Sequence, residues 1–213
     1  SSTQVRNVTT DLIQANDVQN GVLNLYLTPG DKSTTLQEEV QSSLMGVLRE
    51  MPEQKKDLHI AIKEESFQRI KLDQLKTLSY IKNILEKKLY PELDDVVLYN
   101  PEKTLLESTC ANIFLVKDRR VITPKSDCIL QGITRQFLIS NQKNLMVQIN
   151  EENIELEDLD KCDEIFLTNS VHGIITVKCV DGIAHLKSGP LTTQIQEKYQ
   201  LLIQDSYSMA KEL

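Results

Sequence analysis

Residues Glu107–Arg135 read ESTCANIFLVKDRRVITPKSDCILQGITR. A carboxylate closes an apolar run, a hydroxyl-rich turn follows, and ANIFLVKD and RVITP alternate as short strands around DRR. A glycine then stands before ITRQFLIS, which has the pattern of a helix. Glu107 is costly to bury in such a run without a cationic partner; a strand-end glutamate facing water is the plainer alternative. Gly132-Ile133-Thr134 offers free N–H groups at a helix start plus a hydroxyl, an arrangement suited to phosphate. Any glycine before a helix produces the same text, so the tetrad alone is a weak signal.

Outward from this stretch, the chain alternates short strands with a few helices. VLNLYLT (Val22 to Thr28) reads as a strand ended by the TPGD turn, and Leu36, Val40, Leu44 and Val47 fit a helical period although SLMGVLR also passes for a strand. MPEQKKD (Met51 to Asp57) is the best linker. DLHIAIKE reads as a strand and LDQLKTLSYIKNILEKK as a helix; DDVVLYN, TLLEST, ANIFLVKD and RVITP suggest an antiparallel meander. LMVQIN, EIFLTNS and GIITVKCV are further strands, ELEDLDKC is a short acidic helix, and Pro190 suits a helix N-terminus. The pattern is α+β, with residues 1–56 a small first domain plus linker and 57–213 the main domain.

The balance of 24 basic against 31 acidic residues, net −7, gives no basic footprint for nucleic acid. No apolar run approaches the roughly 20 residues of a membrane span, and the first residues lack an export signal, so a cytoplasmic protein is expected. Cys110, Cys128, Cys162 and Cys179 include no Cys-x-x-Cys pair, which argues for reduced thiols and against a zinc site; His59, His172 and His185 show no metal-ligand spacing. No metal is expected.

Lys76 falls among Leu75, Leu78 and Ile81 with Tyr80 one turn on, so a helix would put amine and phenol on one face. A lysine against apolar groups loses solvation and becomes available as a nucleophile, but a solvated helix lysine is the commoner case. Thr168-Asn169-Ser170 closes a strand with three small polar side chains that could donate to a ligand, and His172 stands beside them; more often such a trio only ends a strand.

Taken together, Glu107-x-Thr109-x-x-Asn112-Ile113-Phe114, Val121-x-Thr123 and Leu130-x-Gly132-Ile133-x-Arg135 resemble the signature of the class IV aminotransferases, pyridoxal-phosphate enzymes of fold type IV. That family includes branched-chain and D-amino acid aminotransferases and aminodeoxychorismate lyase. LKTLSYIKNIL resembles the segment bearing the family's Schiff-base lysine, and EIFLTNSVHGIITV resembles its later phosphate-binding strand and turn.

The resemblance implies pyridoxal 5'-phosphate as cofactor, held covalently by Lys76 with Tyr80 beside it. Glu107 would pair with the ring nitrogen and Asn112 brace the adjoining turn. Gly132, Ile133, Thr134, Asn169 and Ser170 would form the phosphate site, and Ser170, Val171 and His172 would face the substrate. It implies a small N-terminal α/β domain and a larger domain with an antiparallel-rich β core flanked by helices, assembled as a homodimer. Three functions follow as expectations: transfer of an amino group between a small amino acid and a 2-oxo acid; release of pyruvate from aminodeoxychorismate to give 4-aminobenzoate; or, third, a non-catalytic homologue.

The departures are specific. The N-terminal domain looks truncated, and no arginine in residues 1–57 convincingly matches the one that contacts phosphate. Ser79 replaces the usual Asn. TPGDKST lacks the arginine and histidine of the D-amino acid branch, Lys32 being its only cation. Asn169-Ser170 is nearest the lyases.

Overall fold

The computed structural model describes residues 2–16, 18, 20–30, 42–183 and 189–211, with side chains through residue 206. Most of the TPGDKST loop with Lys32, as well as Leu36, Val40 and His185, lies outside the described residues. The chain divides into two compact units, Ser1–Gln54 and Lys55–Leu213.

In the first unit, helix α1 (Ser2–Asn16) accompanies strands β1 (Gly21–Thr28) and β2 (Ser43–Glu50), which pair antiparallel with Tyr26 opposite Met45. The stretch SLMGVLR, open to either reading, is therefore strand. Gly46 is needed there because a Cβ would run into Leu12 of α1.

The second unit is built on eight strands: β3 (Leu58–Glu64), β4 (Asp95–Tyr99), β5 (Leu105–Ser108), β6 (Asn112–Lys117), β7 (Arg120–Pro124), β8 (Gln148–Glu152), β9 (Glu164–Asn169) and β10 (Gly173–Val180). Their order across the sheet is β5-β4-β3-β10-β9-β6-β7-β8. Helices α2 (Ile81–Lys88), α3 (Ile133–Ser140), α4 (Gln142–Leu145) and α5 (Pro190–Lys211) complete it.

The expected antiparallel meander of β4 to β7 is only partly realised: β4–β5 and β6–β7 pair as expected, but β5 and β6 are not neighbours, and other pairs of the sheet are parallel. β4 runs parallel to β3, β10 parallel to β3, and β8 parallel to β7, while β4–β5, β6–β7, β6–β9 and β9–β10 are antiparallel. The parallel pairs arise where a helix-bearing connection returns the chain to the same end of the sheet, through α2 for β3–β4 and through α3 and α4 for β7–β8.

Both faces of the central strands are covered. Along β6 and β9, Ile113, Leu115, Ile165 and Leu167 point into one cluster with Val97 and Ile175; Phe114, Val116 and Phe166 point the other way, onto Leu138 of α3 and Ile195 and Tyr199 of α5. The Phe114 and Phe166 rings stack at 4.8 Å. Period-2 alternation with apolar residues on both faces explains why IFLV and IFL read as unbroken apolar runs.

The expected helix around Lys76 does not form. Lys71–Gln74 is a 3₁₀ turn, residues 75–80 are irregular, and α2 begins only at Ile81. Leu72, Leu75, Leu78 and Ile81 are each more than half exposed, so no packed face holds the helical spacing. The backbone instead closes two three-residue turns, Thr77 N to Leu75 O at 2.9 Å and Tyr80 N to Leu78 O at 3.0 Å.

Candidate active site

The ESTCAN residues form a tight reversal from β5 into β6. Ser108 Oγ accepts from Ala111 N at 2.8 Å and donates to Ala111 O at 3.0 Å, while buried Asp95 accepts from Thr109 Oγ1 at 2.6 Å and from the Cys110 thiol at 3.2 Å. Burial and the Asp95 carboxylate push that thiol up to about 12, so it stays protonated and inert. Asn112 then spans to the next loop, its amide donating to Leu130 O at 2.8 Å and to Glu107 Oε2 at 3.1 Å.

Glu107 faces inward, not water. Its Oε1 takes Arg69 Nη1 at 2.5 Å and its Oε2 takes Asn112 Nδ2 and Leu130 N, both at 3.1 Å. The cationic partner that a buried carboxylate needs is therefore Arg69, which also reaches Glu65 Oε2 through Nε at 3.3 Å. All three side chains are more than nine-tenths buried. Burial raises the Glu107 carboxyl to about 7 despite the opposing pull of Arg69, and burial likewise raises Glu65. With all three ionised, two carboxylates share one guanidinium and the cluster carries one net negative charge.

Glu107 forms one wall of a cavity of about 260 Å³. Lys76 and Tyr80 line the same cavity; Lys76 Nζ donates to Tyr80 Oη at 2.7 Å and lies 4.9 Å from the centre of the ring. The pairing expected from a shared helical face thus exists without the helix, because the irregular backbone folds Tyr80 back onto the lysine.

Opposite lies the start of α3. Gly132 occupies the N-cap with no side-chain cap, its own amide bonds Leu130 O at 2.9 Å, and the first helical N–H bond runs from Gln136 to Gly132 O at 2.9 Å, which leaves the amides of Ile133, Thr134 and Arg135 open. Asn112 approaches so closely that a Cβ at position 132 would collide with its Oδ1. Thr134 Oγ1 donates to Asn169 O at 3.0 Å, tying α3 to the end of β9. Arg135, fully buried, anchors the loop from below by bonding Gln131 Oε1, Pro124 O and Glu151 Oε1.

Lys76, Tyr80, Glu107, Asn112, Gly132, Ile133, Thr134, Asn169 and Ser170 all line this one cavity. Val171 and His172 do not: their backbone N–H groups donate to Asn169 Oδ1 at 3.1 and 2.8 Å, closing the turn after β9. Sequence reasoning missed Arg69, and it gave Thr168 only a share in the Thr168-Asn169-Ser170 donor trio. Arg69 is the one arginine in SFQRIKLDQLK among lysines, and a two-carboxylate bridge calls for its fork. Thr168 is 1% exposed, lines the cavity, and its Oγ1 has no partner.

The comparisons agree with this architecture. The family model of the Amino-transferase class IV family matches residues 1–180; the chain belongs to that family, whose members are enzymes. D-alanine aminotransferase of Listeria monocytogenes is 26% identical over 212 residues, covering 93% of this chain and 73% of the relative. A Methanocaldococcus jannaschii protein assigned as a branched-chain-amino-acid aminotransferase is 33% identical over 144 residues, 63% of this chain and 50% of its own. Among solved structures, a Legionella pneumophila protein assigned as a 4-amino-4-deoxychorismate lyase superposes with a TM-score of 0.79 at 30% identity, over 91% of this chain and 73% of that one. The branched-chain aminotransferase of Thermoproteus uzoniensis, at 23% identity and a TM-score of 0.83, shares the fold.

Proposed function

We propose that the protein is a pyridoxal-phosphate-dependent aminotransferase acting on a small amino acid and a 2-oxo acid. The observation that carries this reading is a primary amine, a buried carboxylate and an open helix N-terminus lining one cavity. The donor set fits the cofactor: an amine for its aldehyde, an acceptor for a protonated ring nitrogen, and for its phosphate the amides of Ile133 and Thr134 with the unpartnered Thr168 hydroxyl. A cavity of about 260 Å³ lies near the lower end of ligand sites, which run from about 300 Å³.

When bound, pyridoxal phosphate supplies an electrophilic carbon and a ring that accepts electrons. Lys76 would hold it through its amine, and the free amine would carry a proton to and from the reacting carbon. Tyr80 Oη positions that amine, and Glu107 keeps the ring nitrogen protonated. Asn112 and Gly132 hold the loop that bears α3, Thr134 and Asn169 fix α3 to β9, and Ser170, which lines the cavity, would donate to the phosphate. Val171 and His172, in the turn that closes on Asn169 Oδ1 next to the cavity-lining Ser170, would bound the site on the substrate's side.

A second reading is favoured by Asn169-Ser170 and by the 30% identical structural neighbour assigned as a lyase: the same lysine and cofactor releasing pyruvate from aminodeoxychorismate. Production of 4-aminobenzoate and pyruvate supports the lyase; conversion of the cofactor to its amine form by an amino acid supports transamination. For either, borohydride treatment of the loaded protein must fix a cofactor-sized mass on Lys76. Lys76→Ala removes that mass and lowers turnover by on the order of a thousandfold or more. An unchanged visible absorption in that variant sinks both readings and leaves a non-catalytic homologue.

Ile70, Leu72, Leu75, Leu78, Ile81 and Leu89 are each more than half exposed, and Leu75 also lines the cavity, which supports a homodimer joined beside the site. Residues 1–56 serve as part of the family's smaller N-terminal domain. Four free thiols suit the cytoplasm. Among the described residues no helix is long and apolar enough to cross a membrane, and the net charge of −7 offers nucleic acid nothing to bind.

A further inference from the structure

Glu107 has three of its roughly four acceptor positions filled. Oε2 is saturated by Asn112 and Leu130, so the remaining lone pair lies on Oε1, the oxygen that already takes Arg69. A ring N–H held by Glu107 must therefore share that oxygen with the guanidinium. How much charge is left for it depends on what else lies against Arg69, and the other carboxylate there is Glu65, whose buried Oε2 stands 3.3 Å from Nε as an ion pair without a hydrogen bond.

Resting on the function proposed above, we infer that Glu65 is a positioning residue. By drawing Arg69's charge to its other edge it leaves Glu107 negative enough to keep a ligand's ring nitrogen protonated. Glu65 does not line the cavity, so it acts only through Arg69. The geometry is that of a balance: one fork, two buried carboxylates, and a cationic ligand as the third weight. Without the ligand, burial raises both carboxyls against the opposing pull of Arg69, and Asp73 adds to each shift. The other charged groups facing the cluster are Asp73, which lies 3.7 Å from Lys82, Glu86, which accepts from Ser66 N and Oγ, and Lys76 across the cavity. None of them bonds the Arg69 guanidinium.

The test compares two probes in the full chain: pyridoxal phosphate, and its 1-deaza analogue in which C–H replaces the ring nitrogen. Wild-type protein binds the former more tightly because only it offers Glu107 a proton. Glu65→Gln hands the whole guanidinium to Glu107, so the preference falls by about tenfold, equivalent to one pH unit at the ring nitrogen, while affinity for the deaza analogue is unchanged. Glu65→Asp keeps the charge but withdraws it by one methylene, and the preference falls by about threefold. If Glu65→Gln does not fold, the aspartate variant alone decides. Equal losses for both probes, or an unchanged preference in a folded variant, overturn the inference and leave the function intact. Failure of the wild-type protein to bind either probe overturns the function and the inference together.

Discussion

Helices α3 and α5 both pack against β9, yet their N-termini are treated in opposite ways. At α5 the buried carboxylate of Glu164 accepts from Leu191 N at 3.0 Å, Thr192 N at 2.8 Å and Thr192 Oγ1 at 2.7 Å. Gly189 leaves the room this requires, since a Cβ there would strike the carboxylate. At α3 the N-cap is a bare glycine, the neighbouring threonine hydroxyl turns to Asn169 O, and the free amides face a cavity. Both helix starts concentrate positive potential and unsatisfied donors. One is closed by a protein anion for stability; the other keeps the same anion-binding capacity for a ligand. The comparison can be broken or sharpened by experiment, beginning where the effect is largest.

Glu164→Ala strips three donors of their buried acceptor. The expected loss is about 2–4 kcal/mol, a fall in Tm of about 5–15 °C by calorimetry, with cofactor affinity retained once the protein is folded. A loss below about 0.5 kcal/mol would mean that α5 needs no internal anion, and the contrast with α3 would lose its meaning.

The other buried carboxylate, Glu107, answers to pH. Burial lifts it to about 7 from an ordinary 4.5, so between those values the folded state holds a proton that the unfolded chain has released. The stability this provides is complete below about pH 4.5 and is lost as pH rises through 7, by up to about 3 kcal/mol without ligand. Denaturant titrations of the ligand-free protein at pH 5 and 7.5 should show the fall, and Glu107→Gln should flatten it. A wild-type stability that rises over this window would show that Arg69 already neutralises the carboxylate.

At α3, Ile133→Pro removes one of the open amides and little else. Position 133 is the first helical residue, where proline is tolerated; Gly132, at φ −59° and ψ 141°, already has the extended conformation that precedes proline; and the Ile133 side chain is 80% exposed. Stability should stay within about 0.5 kcal/mol, while affinity for pyridoxal phosphate, and for inorganic phosphate as a fragment of it, falls about tenfold. Undiminished phosphate binding would place the anion elsewhere.

Much of this was legible in the chain because the governing signals are local. The alternation in ANIFLVKD, RVITP and EIFLTNS reports strands buried on both faces, and glycine before ITRQFLIS reports the helix start. The parallel pairings of β3 with β4 and β10 were not legible, since they depend on crossovers that no short window contains. The stretch around Lys76 misled for a related reason: leucines at helical spacing imply a buried face, and here they face outward, so the turn-forming backbone prevails. Arg69 was missed because its value lies in joining Glu65 to Glu107, 42 positions apart (107 − 65), a relation visible only once β3 and β5 share a sheet. Glu107, Asn112 and Gly132 could be found because the reversal between β5 and β6 and the loop before α3 pack many constrained residues into one segment.

The smallest effect is the most pointed. Thr168 lies on β9 opposite Asn112 in the strand pairing, 1% exposed, with Oγ1 unpartnered; Thr134, one helix away, spends its hydroxyl on Asn169 O. Valine matches threonine in shape. Thr134→Val should therefore cost the ligand-free protein about 1 kcal/mol for a lost hydrogen bond, whereas Thr168→Val should leave it unchanged or stabilise it by up to about 1 kcal/mol, since a buried hydroxyl without a partner only costs desolvation. With pyridoxal phosphate the second variant should lose about three- to tenfold in affinity. Thermal shifts with and without cofactor separate these outcomes. If Thr168→Val destabilises the ligand-free protein as much as Thr134→Val does, its hydroxyl belongs to the scaffold as the Glu164 carboxylate does, and the open donors around the cavity reduce to the α3 amides alone.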